Sequence, residues 1–286
     1  MRQDDSNQGI VIKNKLFLGF NYLLLTMFVI ALLLPIYIIF NVSLKTGPEY
    51  AKSSLLALPN SLYLDNYLTA IKAGKLFVGL KNTLLYCFIG IAGKIIFGPS
   101  TAYIFSRFEF KFKKIIFMAF VGAQLIPTSL TAVATFMVIK NLGLYNKFSC
   151  AIVIYGMGVD IITIFLMLQF LKKIPKSLDE SARVEGASYF KIYTIIIFPQ
   201  LKTPIATVAI FTFVGIYNDF LTPYLYIPKP ALRTIATALN TFSGDRMTNW
   251  PVMSAAIMVT LIPILLVYLK LQKHIIAGLS DGAVKE

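Results

Sequence analysis

Long apolar stretches alternate with short polar segments along the chain. A helix needs about 20 predominantly apolar residues to cross the hydrocarbon core of a bilayer. Six stretches meet that requirement, so the pattern predicts an all-α membrane protein with six transmembrane helices. The predicted spans are Leu16–Val42, Asn82–Phe105, Ile115–Ile139, Phe148–Leu171, Ile205–Ile227 and Val252–Leu269.

The composition nearly excludes a soluble enzyme. Hydrophobic residues make up 57% of the chain and charged residues 14%, whereas soluble domains carry about 25% charged residues. The single histidine, His274, and the two cysteines, Cys87 and Cys150, have no spacing typical of metal ligands. We therefore expect no catalytic residues, no metal site and no cofactor in this chain.

The basic residues predict the orientation in the membrane. The formal net charge is +14, but the bases lie in short runs between apolar stretches, which favours anionic lipid rather than nucleic acid as their partner. The segments before the first span and after the second, fourth and sixth spans carry more bases than the segments on the other side of the membrane. The positive-inside rule therefore predicts that both termini are cytoplasmic. The basic turn Arg107–Lys114 is interpreted as a topological anchor.

The longest inside loop, Lys172–Pro204, is predicted to be helical. Ser177 lies three residues before Glu180, which is typical of a capping box at the start of a helix. Gly186 tolerates left-handed dihedral angles and is predicted to end that helix, and a second helix is expected to stop at Pro199. The capping residues and the glycine turn fit both a plain cytoplasmic connector and a helix that docks on a soluble partner.

Several segments carry a family resemblance. Glu180–Ala187, followed by Phe198-Pro199, resembles the EAA loop of ABC importer permeases, with departures at Ser181, Glu185 and Phe198. The similarity extends from about Asn82 to the end of the chain. The segment Gly278–Glu286 resembles the tail of the smaller, six-span subunit of maltose-type permeases.

The resemblance implies type I ABC importer permease architecture, a place in the cell membrane and a role in carbohydrate import by alternating access. The implied partners are a second, related permease subunit in a heterodimer, two ATPase subunits that bind ATP and Mg, and an extracytoplasmic sugar-binding protein. The segment 177–186 becomes the coupling helix that docks on the ATPase. The implied coupling residues are Ser177, Glu180, Ala182, Arg183, Glu185, Gly186 and Ala187.

The predicted spans and the resemblance together divide the chain. We predict a cytoplasmic N-terminus, a first transmembrane helix, an extracytoplasmic segment, a five-helix permease core with its coupling loop at 172–204, and a cytoplasmic tail. In the same order, these five segments comprise residues 1–15, 16–42, 43–81, 82–270 and 271–286. In the outside segment 228–251, Asp245, Arg246 and Trp250 are candidates for docking the binding protein, and Trp250 also fits a simple interfacial anchor.

Ionisable residues inside the spans give candidates for the substrate pathway, because mid-membrane charges usually face the interior of a bundle. Lys94 and Asp160 lie near the centres of their spans, where they are expected either to form an ion pair or to line the cavity. A lining lysine would suit an anionic sugar. Asn218 and Asp219 would either bond an irregular turn or face the cavity, and Tyr217 would stack on sugars or anchor the interface.

Two other functions stay open at this stage. A secondary carrier or channel that acts alone would also have six spans and buried charges, but it would need no docking helix. A permease of the same family could import a solute other than sugar. The chain contains no phosphate-binding loop, since the nearest string, Gly90–Ile95, lacks the spacing and the final hydroxyl residue.

Overall fold

The computed structural model describes the backbone of residues 2–242 and 249–283, and the side chains of residues 18–242 and 249–270. These residues form helices and contain no strand. The α-helices are α1 (Arg2–Ser43), α2 (Gly47–Lys52), α3 (Asp65–Ala73), α4 (Leu76–Arg107), α5 (Lys113–Leu125), α6 (Thr128–Asn141), α7 (Phe148–Ala151), α8 (Ile161–Lys173), α9 (Ser177–Val184), α10 (Tyr189–Lys191), α11 (Lys202–Asn218), α12 (Leu221–Tyr226), α13 (Ile235–Leu239) and α14 (Trp250–Ala283).

Five helices in the described part of the chain are long and apolar enough to cross a membrane, and a bent pair of helices provides a sixth apolar segment. This confirms the all-α membrane fold. The five are Leu18–Ser43, Leu76–Arg107, Phe148–Lys173, Tyr189–Asn218 and Trp250–Lys270.

The third predicted span, Ile115–Ile139, is wrong as one continuous helix. It consists of α5 and α6, whose axes are bent by 108°. Proline disfavours helical dihedral angles in the residue before it, and Ile126 before Pro127 is extended, with φ −85° and ψ 116°. Pro127 also has no amide hydrogen to continue the helical bonding, so the apolar stretch breaks at this point.

The fifth predicted span, Ile205–Ile227, is displaced. Its helix already begins at Tyr189 and ends at Asn218, and α12 follows as a separate element. The expected stop at Pro199 is wrong, because a π-helical stretch, Ile192–Ile197, and a 3₁₀ turn, Phe198–Leu201, carry the chain past the proline. Changes from α to π and 3₁₀ bonding accommodate a residue that cannot donate a backbone hydrogen bond.

The chain divides into two compact units. The first comprises Met1–Lys72 with Phe242–Val259, and the second comprises Ala73–Thr241 with Thr260–Glu286. In the first unit, polar groups are buried after α1. The Lys45 Nζ donates to Ser53 Oγ and to the Ser54 carbonyl at 3.1 and 2.8 Å, while Asn66 Nδ2 donates to the carbonyls of Ser43 and Lys45. These bonds fold the segment after the first span into an ordered cap.

In the second unit, α4 is the central helix and packs against α8, α11 and α13. One apolar cluster surrounds Tyr86 and Tyr155, and another surrounds Ile164 and Met167. Gly93 lies so close to the π-helical stretch Ile152–Gly156 that a Cβ added to it would be 1.8 Å from the Gly156 carbonyl oxygen. Glycine is therefore required for this contact between α4 and its neighbour.

Candidate functional site

The predicted coupling helix is α9, but it starts differently from the expectation. The capping box between Ser177 and Glu180 is wrong, because α9, which is fully described, has no side-chain hydrogen bond that caps its first amides. Lys176 already has helical dihedral angles, and its carbonyl accepts from the Glu180 amide at 3.1 Å. Ser177 is therefore inside the first turn, and the amide it was expected to cap is already bonded.

The end of α9 agrees with the prediction. Gly186 has φ +84°, the left-handed region that favours glycine. Its amide donates to the Arg183 carbonyl at 3.0 Å, and the Ala187 amide donates to the Ala182 carbonyl at 2.9 Å. These two bonds form a Schellman motif, which satisfies the last carbonyls of the helix and turns the chain towards α10.

Asp179 joins α9 to the end of α4. One carboxylate oxygen accepts from the Tyr103 hydroxyl at 2.9 Å, and the other lies 3.1 Å from the Arg107 Nε. The two charged side chains are only 12% and 7% exposed, and Arg107 also donates to the Ile174 carbonyl at 2.9 Å. The sequence analysis did not predict this contact. The only local signal for it is that Asp179 lies on the same face of the helix as the small residue Ala182.

The opposite face of α9 is open. Ser177, Glu180 and Glu185 are exposed, and Val184 is 89% exposed, whereas Ala182 is buried beside Asp179. A short helix that is fixed on one face by a buried ion pair, and presents acidic and apolar side chains on the other, is suited to docking. The structure thus places the predicted coupling residues on one continuous segment.

Arg183 is used within the segment itself. Its Nη1 donates to the Ala187 carbonyl at 2.9 Å, and its guanidinium lies 4.4 Å from the centre of the Tyr189 ring. The side chain therefore bridges the turn at Gly186. This contact adds a structural role to the predicted role of Arg183 as a docking residue.

Lys94 and Asp160 form an ion pair between α4 and the start of α8. Asp160 also caps α8, since its Oδ1 accepts from the Thr163 amide at 2.7 Å. The pair lines a cavity of about 570 Å³ bounded by α4, α5, α8 and α11, together with Gln124 and Tyr155. Lys94 is therefore paired and also lines this cavity; its place in a substrate pathway stays a prediction.

Asp219 bonds the irregular turn after α11. Its Oδ1 accepts from the Thr222 amide at 3.1 Å, and its Oδ2 accepts from the Tyr155 hydroxyl at 2.9 Å. Asn218 donates back to the Val214 carbonyl at 3.0 Å and is exposed. Neither residue lines the 570 Å³ cavity; Asp219 is connected to it through Tyr155.

Tyr217 lies in the apolar core of the second unit. It is 4% exposed, stacks on Phe213 at 5.6 Å and donates to the Thr260 carbonyl at 2.7 Å. The arrangement gives its ring a packing role in this chain.

The candidate docking residues for the binding protein are only partly described. Asp245 and Arg246 lie outside the described residues. Trp250 is the first residue of α14 and is half exposed, so it fits both an interfacial anchor and a docking surface.

Residues 94–280 match the family described as the binding-protein-dependent transport system inner membrane component. This range covers the cavity, the loop with α9 and most of α14. The chain belongs to this family. Such inner membrane components are transport proteins, and the several apolar helices make this one a multi-pass membrane protein.

Two curated relatives are similar over nearly their full length. The melibiose/raffinose/stachyose import permease protein MelC of Bacillus subtilis is 32% identical over 88% of this chain and 91% of its own. The probable starch degradation products transport system permease protein AmyC of Thermoanaerobacterium thermosulfurigenes is 33% identical over the same shares.

The fold also matches a solved structure. A bacterial ABC transporter involved in the import of the acidic polysaccharide alginate contains a chain that superposes with a TM-score of 0.79. The match covers 91% of this chain and 97% of that one at 21% identity. It supports type I importer permease architecture for the described helices.

Proposed function

We propose that this inner membrane component is the permease subunit of an ATP-driven importer for neutral oligosaccharides. The family membership makes it a transport subunit, and relatives whose names specify melibiose, raffinose, stachyose and starch degradation products support a sugar as the solute. Both termini and the loop with α9 are assigned to the cytoplasm, on the side that the basic residues favour.

The observation that carries this proposal is the construction of α9. Its inner face is tied to α4 by the buried contacts of Asp179 with Arg107 and Tyr103, and its outer face is exposed. A stand-alone carrier has no use for such a helix. We assign the outer face to a separate ATPase subunit, whose closure would move α4 and with it the wall of the cavity by a rigid-body step.

The remaining partners follow from the same assignment. The exposed apolar side chains of α1 from Leu18 onward need a cover of lipid or protein, and a second, related permease subunit would supply part of it. ATP and Mg would bind to the two ATPase subunits. An extracytoplasmic binding protein would deliver the sugar to the opposite side of the membrane.

The preference for a neutral solute rests on the ion pair. Asp160 neutralises Lys94, so the polar group that faces the cavity carries no net charge. A carboxylate and an ammonium side by side can accept from and donate to neighbouring sugar hydroxyls. This revises the earlier expectation that Lys94 would select an anionic sugar.

Uptake by the complete transporter in proteoliposomes tests the proposal, with labelled raffinose as solute and ATP on the cytoplasmic side. We expect uptake to require both the ATPase and the binding protein. Lys94→Gln and Asp160→Asn each leave one unpaired charge and should reduce uptake, whereas the double variant should recover part of it. Raffinose uptake by this chain alone would contradict the importer assignment, and preferential uptake of a uronate oligosaccharide would contradict the neutral substrate.

A further inference from the structure

A second, larger concavity lies at the end of the second unit that carries α9. It is bounded by the end of α4, the start of α5 and the end of α8, and its volume is about 1090 Å³. We call it the basic groove. Its apolar wall includes Phe105, Phe110, Phe112, Phe117 and Met118.

The charges around the basic groove are strongly unbalanced. Two of its bases are paired: Lys113 contacts Glu109 at 2.7 Å, and Arg107 contacts Asp179. Three more lysines, at positions 114, 172 and 176, line the groove and are exposed. Within the described part of the chain, these three form no ion pair, so the rim of the groove has uncompensated positive charge.

The position of the groove, at the ends of apolar helices, is where bases are expected beside a membrane interface. Lys114 precedes the apolar part of α5, and Lys172 follows the apolar part of α8, so both lie at the end of an apolar helical segment. Phe112 is 58% exposed at the same level and has φ +66°, a backbone conformation that is rare for a bulky residue. A topological anchor needs bases on the correct side only, and it does not need an apolar groove beside them.

We propose that the basic groove binds one anionic phospholipid. Its phosphate would lie among Lys114, Lys172 and Lys176, and an acyl chain would follow the aromatic wall towards Met118. Basic pockets between transmembrane helices are suited to anionic headgroups, and only an amphiphile satisfies the charged rim and the apolar wall together. The groove also includes Pro175, two residues before the start of α9, so the lipid would contact the segment that leads into the coupling helix. This proposal does not depend on the transported solute.

Lipid selectivity of the assembled transporter provides the test. The full complex is placed in phosphatidylcholine vesicles that contain spin-labelled phosphatidylglycerol or spin-labelled phosphatidylcholine, and the motionally restricted fraction is measured. We expect a preference for phosphatidylglycerol on the order of tenfold at one site. The variant K114Q/K172Q/K176Q should lose that preference, whereas K114R/K172R/K176R should keep it.

A matched control separates the groove from total charge. Lys111, Lys191 and Lys202 are exposed, belong to the inside segments predicted from the sequence and do not line the groove, although Lys111 lies 5.0 Å from the centre of the Phe112 ring. The variant K111Q/K191Q/K202Q removes the same charge and should retain the preference for phosphatidylglycerol. Equal losses in both glutamine variants, or no preference in the natural protein, would overturn the proposal.

Crosslinking identifies the occupant directly. A photoreactive benzophenone amino acid at position 118 should form an adduct with the mass of one phospholipid. A crosslink from this position to a second polypeptide would show that protein covers the groove, and it would overturn the lipid assignment.

Discussion

At the scale of residues, Asp179 and Arg107 hold α9 against the end of α4. Their ion pair is nearly excluded from water. It joins the end of α4 to the buried face of α9. Removing one member of a buried pair leaves the other charge without compensation, which costs about 3–5 kcal/mol.

Asp179→Asn is therefore expected to lower the thermal unfolding midpoint of the purified complex and the number of sugars transported per ATP hydrolysed. Replacing both members by apolar residues, as in Arg107→Met with Asp179→Leu, should restore much of the unfolding midpoint, because no unpaired charge remains. Glu109→Gln, which breaks the exposed pair with Lys113, is the control and should change neither quantity. An unchanged Asp179→Asn variant would show that the pair does not fix α9.

Gly186 gives a second prediction at this scale. A Cβ at this position would meet no atom within 4 Å, but the backbone has φ +84°, so a substitution acts through dihedral strain alone. Gly186→Val should uncouple ATP hydrolysis from transport, whereas Gly186→Asn should retain coupling because asparagine tolerates left-handed dihedral angles. The ratio of transport to hydrolysis in proteoliposomes measures this, and equal ratios in the two variants would contradict the prediction.

The sequence predicted Gly186 correctly because a helix end is a local property. It did not predict the contact of Asp179 with Arg107 and Tyr103, because the tyrosine and the aspartate are 76 residues apart and only the packing of α9 against α4 joins them. Lys94 and Asp160 were accessible to sequence reasoning, since two opposite charges buried in neighbouring spans have few alternatives to pairing.

At the scale of elements, hydropathy predicted where apolar segments lie but not where their helices break. The bend at Pro127 falls inside a stretch without charged residues. The helix passes Pro199 because π and 3₁₀ turns accommodate the missing hydrogen-bond donor. Whether a proline ends, bends or merely distorts a helix depends on the neighbouring contacts, and these are not local in sequence.

The contact of α4 with the π-helical stretch yields a prediction for elements. Gly93→Ala should disrupt folding, since its Cβ would overlap the Gly156 backbone, which cannot move aside as a flexible side chain could. Gly122→Ala is the control, because its Cβ would meet nothing within 4 Å and alanine favours a helix by about 1 kcal/mol over glycine. The yield of monodisperse protein and its unfolding midpoint should fall for Gly93→Ala only.

At the scale of the whole molecule, α4 connects the cavity to α9. Lys94, at the cavity, and Arg107, at the coupling segment, lie on this one helix, about 20 Å apart at the helical rise of 1.5 Å per residue. Under the proposed function, a displacement of α9 would be transmitted to the cavity wall along this helix. The partner chains could not be predicted from this sequence in detail, because their side of each interface is encoded elsewhere.

The central claim is that the exposed face of α9 docks on a separate ATPase subunit. Val184→Cys tests it most directly, since this side chain is 89% exposed and both native cysteines are buried. In the assembled transporter, a short bifunctional thiol reagent should crosslink Val184→Cys to the ATPase, while Leu58→Cys, 74% exposed on the segment predicted to face outside, should form no such product. Full maleimide reactivity of Val184→Cys, without any crosslink, in a complex that actively imports sugar would contradict the account.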